Sequence, residues 1–266
     1  MRRPWLALAG ALLLALGLTT LLLGLNGISR VHDGDYWPVA PIGLAAASLV
    51  GFVWWEGRSD RPIVRLDLFR DPAFSAINAV NLLMNLSAFS VFLFVPYYFA
   101  RFSDLPLPLA GAVLATTWVT TALTSPLSGK LIGRVPAERV AALGLLAVGG
   151  GLFLTGHWPA GASPLAMAAT LAVQGVGVGL FQVSYLDIVM RSSPLADRGV
   201  AGSLGVLTRT IGTVSGATVL TLIFRALQGA VDTPAAFLTA FHGVFQLVGL
   251  VVAATMLVIP WWRKAG

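Results

Sequence analysis

The sequence predicts an all-α integral membrane protein with about eight transmembrane helices. Of its 266 residues, 57% are hydrophobic and 11% are charged, and the mean hydropathy is +0.84, whereas soluble domains carry roughly 25% charged residues. The apolar residues come in runs of about twenty, which is the length that a helix needs to cross a bilayer. Backbone polar groups in lipid must be satisfied within the segment, which favours helices. A lipid bilayer is therefore the predicted surrounding of the chain.

Eight apolar segments are long enough to span a bilayer, and they lie at residues 5–25, 38–55, 73–99, 108–128, 138–157, 164–189, 200–223 and 238–262. The first follows Arg2 and Arg3, which is also the pattern of a signal peptide. Its apolar run is too long for one, however, and lacks a clear small-x-small cleavage site. We therefore interpret it as an uncleaved span. With both termini cytoplasmic, most Lys and Arg residues of the short loops fall on the inner side, in agreement with the positive-inside rule.

The charged connection at residues 57–72 predicts the domain organisation. It mixes charged and apolar residues, so it suits the headgroup region as an amphipathic cytoplasmic segment. It separates two transmembrane helices in residues 1–56 from six in residues 73–266. The cations are mostly Arg, and Ala and Gly are abundant, which indicates a GC-rich bacterial source. The predicted location is therefore a bacterial inner membrane, crossed several times.

Composition argues against several classes of function. The net charge of +6 and the pI near 10.5 come from cations in short loops without a basic stripe, so nucleic acid is not an expected partner. The absence of cysteine excludes disulfides, thiol catalysis and thiolate metal sites. His32, His157 and His242 lack ligand spacing, and no Ser/His or paired-carboxylate motif supports catalysis. We expect no enzymatic activity, no cofactor and no metal.

Two predicted spans carry polar and aromatic residues along one helical face, at about 100° per residue. They are Asn78, Asn81, Asn85, Phe89 and Phe92 in the third span, and Gln174, Val178, Phe181, Gln182 and Tyr185 in the sixth. One interpretation is interhelical hydrogen bonding, worth about 1 kcal/mol for each bond. The other is a cavity lining, since rings with neutral amides suit an amphipathic, often cationic, small molecule. The predicted substrate-binding residues are Asn81, Asn85, Phe89, Gln174, Gln182 and Tyr185.

Two charged residues in the spans are candidates for an electrostatic or coupling role. Asp187 is the one acid well inside an apolar run, but it stands four residues before Arg191, in the order that favours a local ion pair. Arg209 lies about ten residues into the seventh span and shares a face with Gly212 and Gly216, a close-packing pattern. Either backbone carbonyls hold Arg209 in a crevice, or it acts in a conformational or substrate site. We favour the second interpretation.

Several stretches, taken in order, resemble one family. They are Arg61–Arg70, Phe94–Tyr98, Pro108–Gly111, Gly129–Arg139 and Gly199–Gly216. Together they are similar to the fourteen-span drug:proton antiporters of the major facilitator superfamily over nearly the whole chain. The fourth stretch is similar to the superfamily's cytoplasmic loop motif, with Gly129, Lys130, Arg134 and Arg139 in place. Gly133 stands where an Asp is common, and Pro136 where a Gly is common, so a charge relay through that Asp is not expected.

The resemblance implies a particular organisation and activity. The first two spans would be the linker pair of fourteen-span members, and the last six a carboxyl-terminal half bundle. The third, fourth, sixth and seventh spans would face the path of a hydrophobic small-molecule substrate, exported against a proton gradient. The family's amino-terminal six-helix half, which would carry important coupling acids, is a missing partner, so the chain would be a fragment, a split-gene half or a truncated product. The alternative function is a non-transporting scaffold or assembly subunit, homodimeric through glycine faces.

Overall fold

The computed structural model describes residues 10, 12, 13, 15–17, 19–21, 23, 24, 36, 37, 39–56, 58, 70–229 and 233–258. Ten of the 21 residues of the first predicted span, 5–25, and most of the predicted cytoplasmic segment 57–72 lie outside these residues, as do Arg2, Arg3 and His32. The described positions between 10 and 24 are helical. The chain forms two compact units, residues 1–75 and residues 76–266.

Within the described residues, seven long helices have both ends defined: α1 (Val39–Glu56), α2 (Pro72–Phe102), α3 (Leu107–Ile132), α4 (Ala137–Thr155), α5 (Pro164–Ser192), α6 (Arg198–Gln228) and α7 (Pro234–Thr255). The described residues contain no strand. Six of the helices, α2 to α7, are long and apolar enough to cross a membrane, which confirms the all-α membrane fold. They correspond to the third to eighth predicted spans. α1 coincides with the second, although its continuous apolar part, Val39–Phe52, is shorter.

Short polar or proline-containing turns begin the helices of the second unit. Ser163 and Thr233 cap α5 and α7, because their side-chain oxygens accept hydrogen bonds from the backbone N–H of the third residue of each helix. Pro106 and Pro136 precede α3 and α4. α6 ends at Gln228, and the Gly229 that follows has a φ of 73°, in the left-handed region that favours glycine. These ends fix connections of only a few residues, so consecutive helices run back and forth.

Glycines let the helices of the second unit approach each other closely. Gly149 of α4 faces Gly249 of α7, and a Cβ built on Gly149 would lie 2.6 Å from the Gly249 carbonyl oxygen. Gly212 of α6 faces Leu82 of α2, whose carbonyl oxygen a Cβ would overlap. α5 packs in the same way on α3 and α4 through Gly175, Gly177 and Gly179. Small residues at interfaces give membrane helices the van der Waals contact that holds them together without a hydrophobic driving force.

One end of this unit is closed by a cluster of aromatic side chains, which we call the aromatic plug: Tyr98, Phe99, Phe102, Trp158, Phe237, Phe241 and Phe245. Tyr98 is fully buried, and its hydroxyl donates to the carbonyl oxygen of Pro159. His242 Nε2 lies 2.7 Å from the Trp158 carbonyl oxygen. The plug therefore ties the α4–α5 connection to both α2 and α7.

Candidate functional site

Three helices, α2, α5 and α6, meet in a polar network whose centre is Asn78. The Tyr185 hydroxyl donates to Asn78 Oδ1 at 2.9 Å. Thr208 Oγ1 lies 3.2 Å from the same oxygen and 2.7 Å from the Leu204 carbonyl oxygen, and its single proton serves one of them at a time. Asn78 and Tyr185 are 2% and 4% exposed. A buried polar group without a partner costs about 1–3 kcal/mol, so these bonds fix how the three helices fit together.

Asn81 extends the network toward α6. Its side-chain N–H donates to the carbonyl oxygen of Gly205 at 3.2 Å, and Asn81 is fully buried. The approach is possible because residue 205 is a glycine, since a Cβ there would lie 2.7 Å from the Tyr185 hydroxyl oxygen. Asn81 and Gly205 therefore share one closely packed contact between α2, α5 and α6.

Asn85 and Gln182 form the accessible end of the network. Asn85 Nδ2 donates to the Asn81 carbonyl and side-chain oxygens at 2.8 and 2.9 Å. Gln182 Nε2 donates to Asn85 Oδ1 at 3.4 Å. Both residues are half-buried, and the Gln182 side-chain oxygen has no partner among the described residues. Bonds to the buried part of the network thus hold the two amides in place, and both keep hydrogen-bonding capacity that no described residue uses.

Phe89 continues this face one turn beyond Asn85. Its ring lies 5.8 Å from that of Phe92, and Phe92 is 66% exposed. An aromatic surface therefore adjoins the accessible amides, about 6 Å along α2 from Asn85 at 1.5 Å per residue. Rings beside neutral amides can bind an apolar or weakly polar organic molecule.

Gln174 lies apart from the other predicted substrate-binding residues. It is 2% exposed and sits between α3 and α4, where Thr117 Oγ1 donates to its side-chain oxygen at 3.3 Å and its Cβ packs on Gly151. Eight residues separate it from Gln182, which is about 12 Å along α5. The structure brings Asn81, Asn85, Phe89, Gln182 and Tyr185 together and places Gln174 in a helix interface.

Asp187 forms an ion pair with the residue one turn later. Its Oδ2 lies 2.9 Å from Arg191 Nε, and the two side chains are 29% and 60% exposed. That contact lacks hydrogen-bond alignment, so Oδ2 accepts no hydrogen bond. Asp187 is not among the residues that bond in the polar network. Among the described residues its ion-pair partner is thus the exposed arginine on its own helix.

Arg209 is exposed on α6, eleven residues after the helix begins. Its side chain has no hydrogen-bond or ion-pair partner among the described residues, and its carbonyl oxygen accepts from Thr213 Oγ1 at 3.0 Å. Gly212 and Gly216 pack on α2, and no described backbone carbonyl accepts a hydrogen bond from the Arg209 side chain. The role of Arg209 stays a prediction. An arginine at this depth costs several kcal/mol in hydrocarbon unless it is hydrated or paired.

The predicted loop motif lies at the connection between α3 and α4. Gly129 and Lys130 belong to the last turn of α3, Arg134 lies in the turn and Arg139 in the first turn of α4. All four are exposed. Within the described part of the chain, none of the three cations forms an ion pair, so they present a basic surface at the end of the bundle opposite the aromatic plug.

Asn78 and Thr208 are the network residues that sequence reasoning did not propose as site residues. Asn78 was on the polar face of its helix and could have been chosen, because the spacing Asn78, Asn81, Asn85 is a regular helical repeat. Thr208 carried no signal of its own. Hydroxyls are common in membrane helices, and only the packing of α6 on α2 shows which one meets an amide.

The fold and the network define a class, a multi-pass, all-helical membrane protein with a polar centre inside a helix bundle. No protein-family model matches the chain. It is 25% identical over 225 residues to the multidrug transporter protein MdtP of Bacillus subtilis, a match that covers 84% of this chain and 41% of MdtP. It is 26% identical over 247 residues to the uncharacterized MFS-type transporter Rv1877 of Mycobacterium tuberculosis, covering 88% of this chain and 36% of Rv1877.

A solved structure shares the fold. It is a bacterial homologue of the human lysosomal transporter Spinster, in an inward-facing, unoccupied conformation, with a TM-score of 0.54, 12% sequence identity, and coverage of 87% of this chain and 59% of that one. The chain thus has major facilitator transporters among its relatives and a transporter fold. It spans about 40% of the length of the two relatives named above.

Proposed function

We propose that this chain is the carboxyl-terminal half of a proton-coupled exporter of hydrophobic small molecules, of the fourteen-span type in the major facilitator superfamily. It would work with a second six-helix bundle in a bacterial inner membrane, with both termini cytoplasmic. The names of the relatives support a transporter rather than a scaffold, and MdtP supports a multidrug substrate range. The resemblance of the loop motif at Gly129 to Arg139 supports the superfamily.

The observation that carries the proposal is the gradient of burial along the polar network. Asn78, Asn81 and Tyr185 are buried and bonded to one another's helices. Asn85 and Gln182 are half-buried and keep free hydrogen-bonding capacity beside an exposed ring. A network that served only to join helices would satisfy its amides inside the interface. We assign the buried end to helix assembly and the accessible end, with Phe89, to substrate contact.

The exposed position of Arg209 supports a water-accessible path along the bundle, in addition to the accessible end of the polar network. Arg209 has no side-chain partner among the described residues, and an exposed guanidinium in mid-helix is stable only where water or a counter-charge reaches it. The second bundle, or water in the cleft between the bundles, would supply both. In this proposal Arg209 tunes the field of the path, and Asp187 keeps its local pair with Arg191. The proton-carrying acids would then belong to the second bundle.

The test is transport by the chain expressed from its own locus, with its flanking reading frames, in a bacterial strain that lacks its own drug pumps. Inside-out vesicles that are energised with a proton gradient should accumulate a lipophilic cation such as ethidium. A protonophore, which collapses the gradient, should abolish the uptake. Asn85→Ala and Gln182→Ala should each reduce uptake about tenfold, the factor equal to one lost hydrogen bond of about 1.4 kcal/mol.

A matched control is Gln246→Ala on α7. Gln246 is also a half-buried amide, but it bonds the Gly156 carbonyl oxygen at 3.1 Å, far from the network. Its loss should leave uptake unchanged. The proposal fails if a correctly folded complex shows no proton-dependent uptake, or if all three variants have the same effect.

A further inference from the structure

The amide side chains of the polar network form a hydrogen-bonded chain whose direction is set by backbone carbonyl oxygens. A carbonyl oxygen can only accept hydrogen bonds, so an amide side chain that bonds to one must present its N–H. For this reason Asn81 turns Nδ2 to the Gly205 carbonyl oxygen at 3.2 Å. Asn85 turns Nδ2 to the Asn81 carbonyl oxygen at 2.8 Å. Rotating either amide by half a turn would bring two acceptors together.

The same order of donor and acceptor continues to Gln182. Asn85 Nδ2 also donates to Asn81 Oδ1 at 2.9 Å, which leaves Asn85 Oδ1 facing α5. Gln182 meets that oxygen at 3.4 Å and must present Nε2 to it. Each amide of the chain therefore donates in the direction of Gly205. The opposite end of the chain is an oxygen, Gln182 Oε1.

The accessible end of the network offers more acceptors than donors. Gln182 Oε1 accepts no hydrogen bond from a described residue, and Gln182 is half-buried rather than enclosed. Its two lone pairs and the second lone pair of Asn85 Oδ1 are therefore free. Both N–H groups of Asn85 are used within the chain, so the second N–H of Gln182 is the one donor left on these two amides.

The surroundings of Gln182 Oε1 favour a positively charged donor. Hydrogen bonds aligned in one direction polarise each other, which increases the negative partial charge on the terminal oxygen. The rings of Phe89 and Phe92, 5.8 Å apart, supply an apolar surface whose faces attract cations. A hydrogen bond from a charged N–H is about twice as strong as one from a neutral group.

We propose that the accessible end of the network selects ligands that donate a hydrogen bond, with Gln182 Oε1 as the acceptor that determines specificity. The ligand is an aromatic molecule with a protonated amine that keeps at least one N–H. This inference rests on the proposed function, which assigns substrate contact to the same residues. A quaternary ammonium ion of similar shape has the charge but no N–H, so it would cover Oε1 without pairing it and bind more weakly.

The experiment compares two ions that differ in one substituent on nitrogen. They are (2-naphthylmethyl)dimethylammonium, which carries an N–H at neutral pH, and (2-naphthylmethyl)trimethylammonium, which carries a methyl group instead. Binding to the purified full chain in detergent is measured by equilibrium dialysis against protein-free micelles. The ion with the N–H should bind about tenfold more tightly, as expected for one hydrogen bond. An apolar effect would run the other way, because an added methyl group strengthens apolar binding.

One variant and a matched control locate the acceptor. Gln182→Met keeps the length of the side chain but removes its oxygen, and should reduce the preference to about twofold or less. Gln246→Met makes the same change at the half-buried amide of α7 that bonds to Gly156, and should keep the tenfold preference. The preference is a ratio of two affinities measured on one sample. A partly misfolded variant would bind less of both ions and leave the ratio unchanged.

Three results would overturn the proposal: equal binding of the two ions by the native chain, an unchanged preference in Gln182→Met, and no binding of either ion. Loss of the preference in Gln246→Met would also overturn it, since the acceptor would then not be local to Gln182. The transport assay separates this inference from the proposed function. Donor preference without proton-dependent uptake would contradict the exporter and keep the binding site. Uptake with equal affinities for the two ions would do the reverse.

Discussion

Gly205 is the position where a single added methyl group should disturb the polar network most directly. A Cβ at residue 205 would lie 2.7 Å from the Tyr185 hydroxyl oxygen and 3.0 Å from its Cε1. Ordinary contact begins at 3.4 Å, so the phenol would have to withdraw by about 0.7 Å. Tyr185 is 4% exposed and has little space to move. A shift of that size directed away from Asn78 would stretch the 2.9 Å bond to about 3.6 Å, beyond hydrogen-bonding range.

The expected cost of Gly205→Ala follows from these two effects. Overpacking a buried contact costs about 1–3 kcal/mol, and leaving a buried polar group without its partner costs about 1–3 kcal/mol. A gain in helix propensity of about 1 kcal/mol opposes them. The net loss is about 1–5 kcal/mol, which for a chain of this size lowers the unfolding midpoint by about 2–20 °C. The assay is thermal unfolding of the purified protein in detergent, followed by tryptophan fluorescence.

Two companion variants make the result interpretable. Gly199→Ala lies in the same helix with nothing within 4 Å of the new methyl group, so its midpoint should stay the same or rise. The double variant G205A/Y185F removes the nearest clashing atom and should be more stable than Gly205→Ala alone. Equal midpoints for Gly205→Ala and Gly199→Ala would refute the argument. A double variant no more stable than the single one would show that the phenol is not the obstacle.

Three further predictions concern single side chains. Tyr98→Phe removes the bond to the Pro159 carbonyl oxygen from a fully buried ring and should lower stability by about 1–2 kcal/mol, measured by the same unfolding assay. Tyr185→Phe should cost about 1 kcal/mol in that assay, and a smaller loss would mean that its bond to Asn78 adds little. Asp187→Asn breaks a partly exposed pair with Arg191 and should change stability by less than about 0.5 kcal/mol, and a larger loss would indicate a partner beyond its own helix.

The helices could be predicted from the sequence because lipid imposes a minimum apolar length. The third predicted span, 73–99, is observed as Pro72–Phe102, and the sixth, 164–189, as Pro164–Ser192. The observed helices extend past the apolar runs, since a helix continues through polar residues once it leaves the hydrocarbon. The eighth predicted span, 238–262, starts four residues after the observed start of α7 at Pro234, and its last four residues lie outside the described part of the chain. Thr233, the N-cap residue, is the sequence signal that marks the start of α7.

The site could be predicted only in part. Helical periodicity identified the face of α2 that carries Asn81 and Asn85, because that pattern lies within one helix. It could not decide whether Gln174 faces the same neighbours as Gln182, since the crossing of α5 over α3 and α4 changes its surroundings along its length. It also could not show that Arg209 is exposed on α6. Those facts depend on how helices rotate against each other.

The aromatic plug has a consequence for how the bundle could change shape. Tyr98 of α2, Trp158 of the α4–α5 connection and Phe241 of α7 hold three helices at one end. At the Gly149–Gly249 contact, backbone meets backbone, so sliding α4 past α7 would drive larger side chains into the space that only glycine leaves. A cross-link between those two helices should therefore be harmless to any function of the bundle. Any change in the shape of the bundle should therefore move α4 and α7 together as one unit.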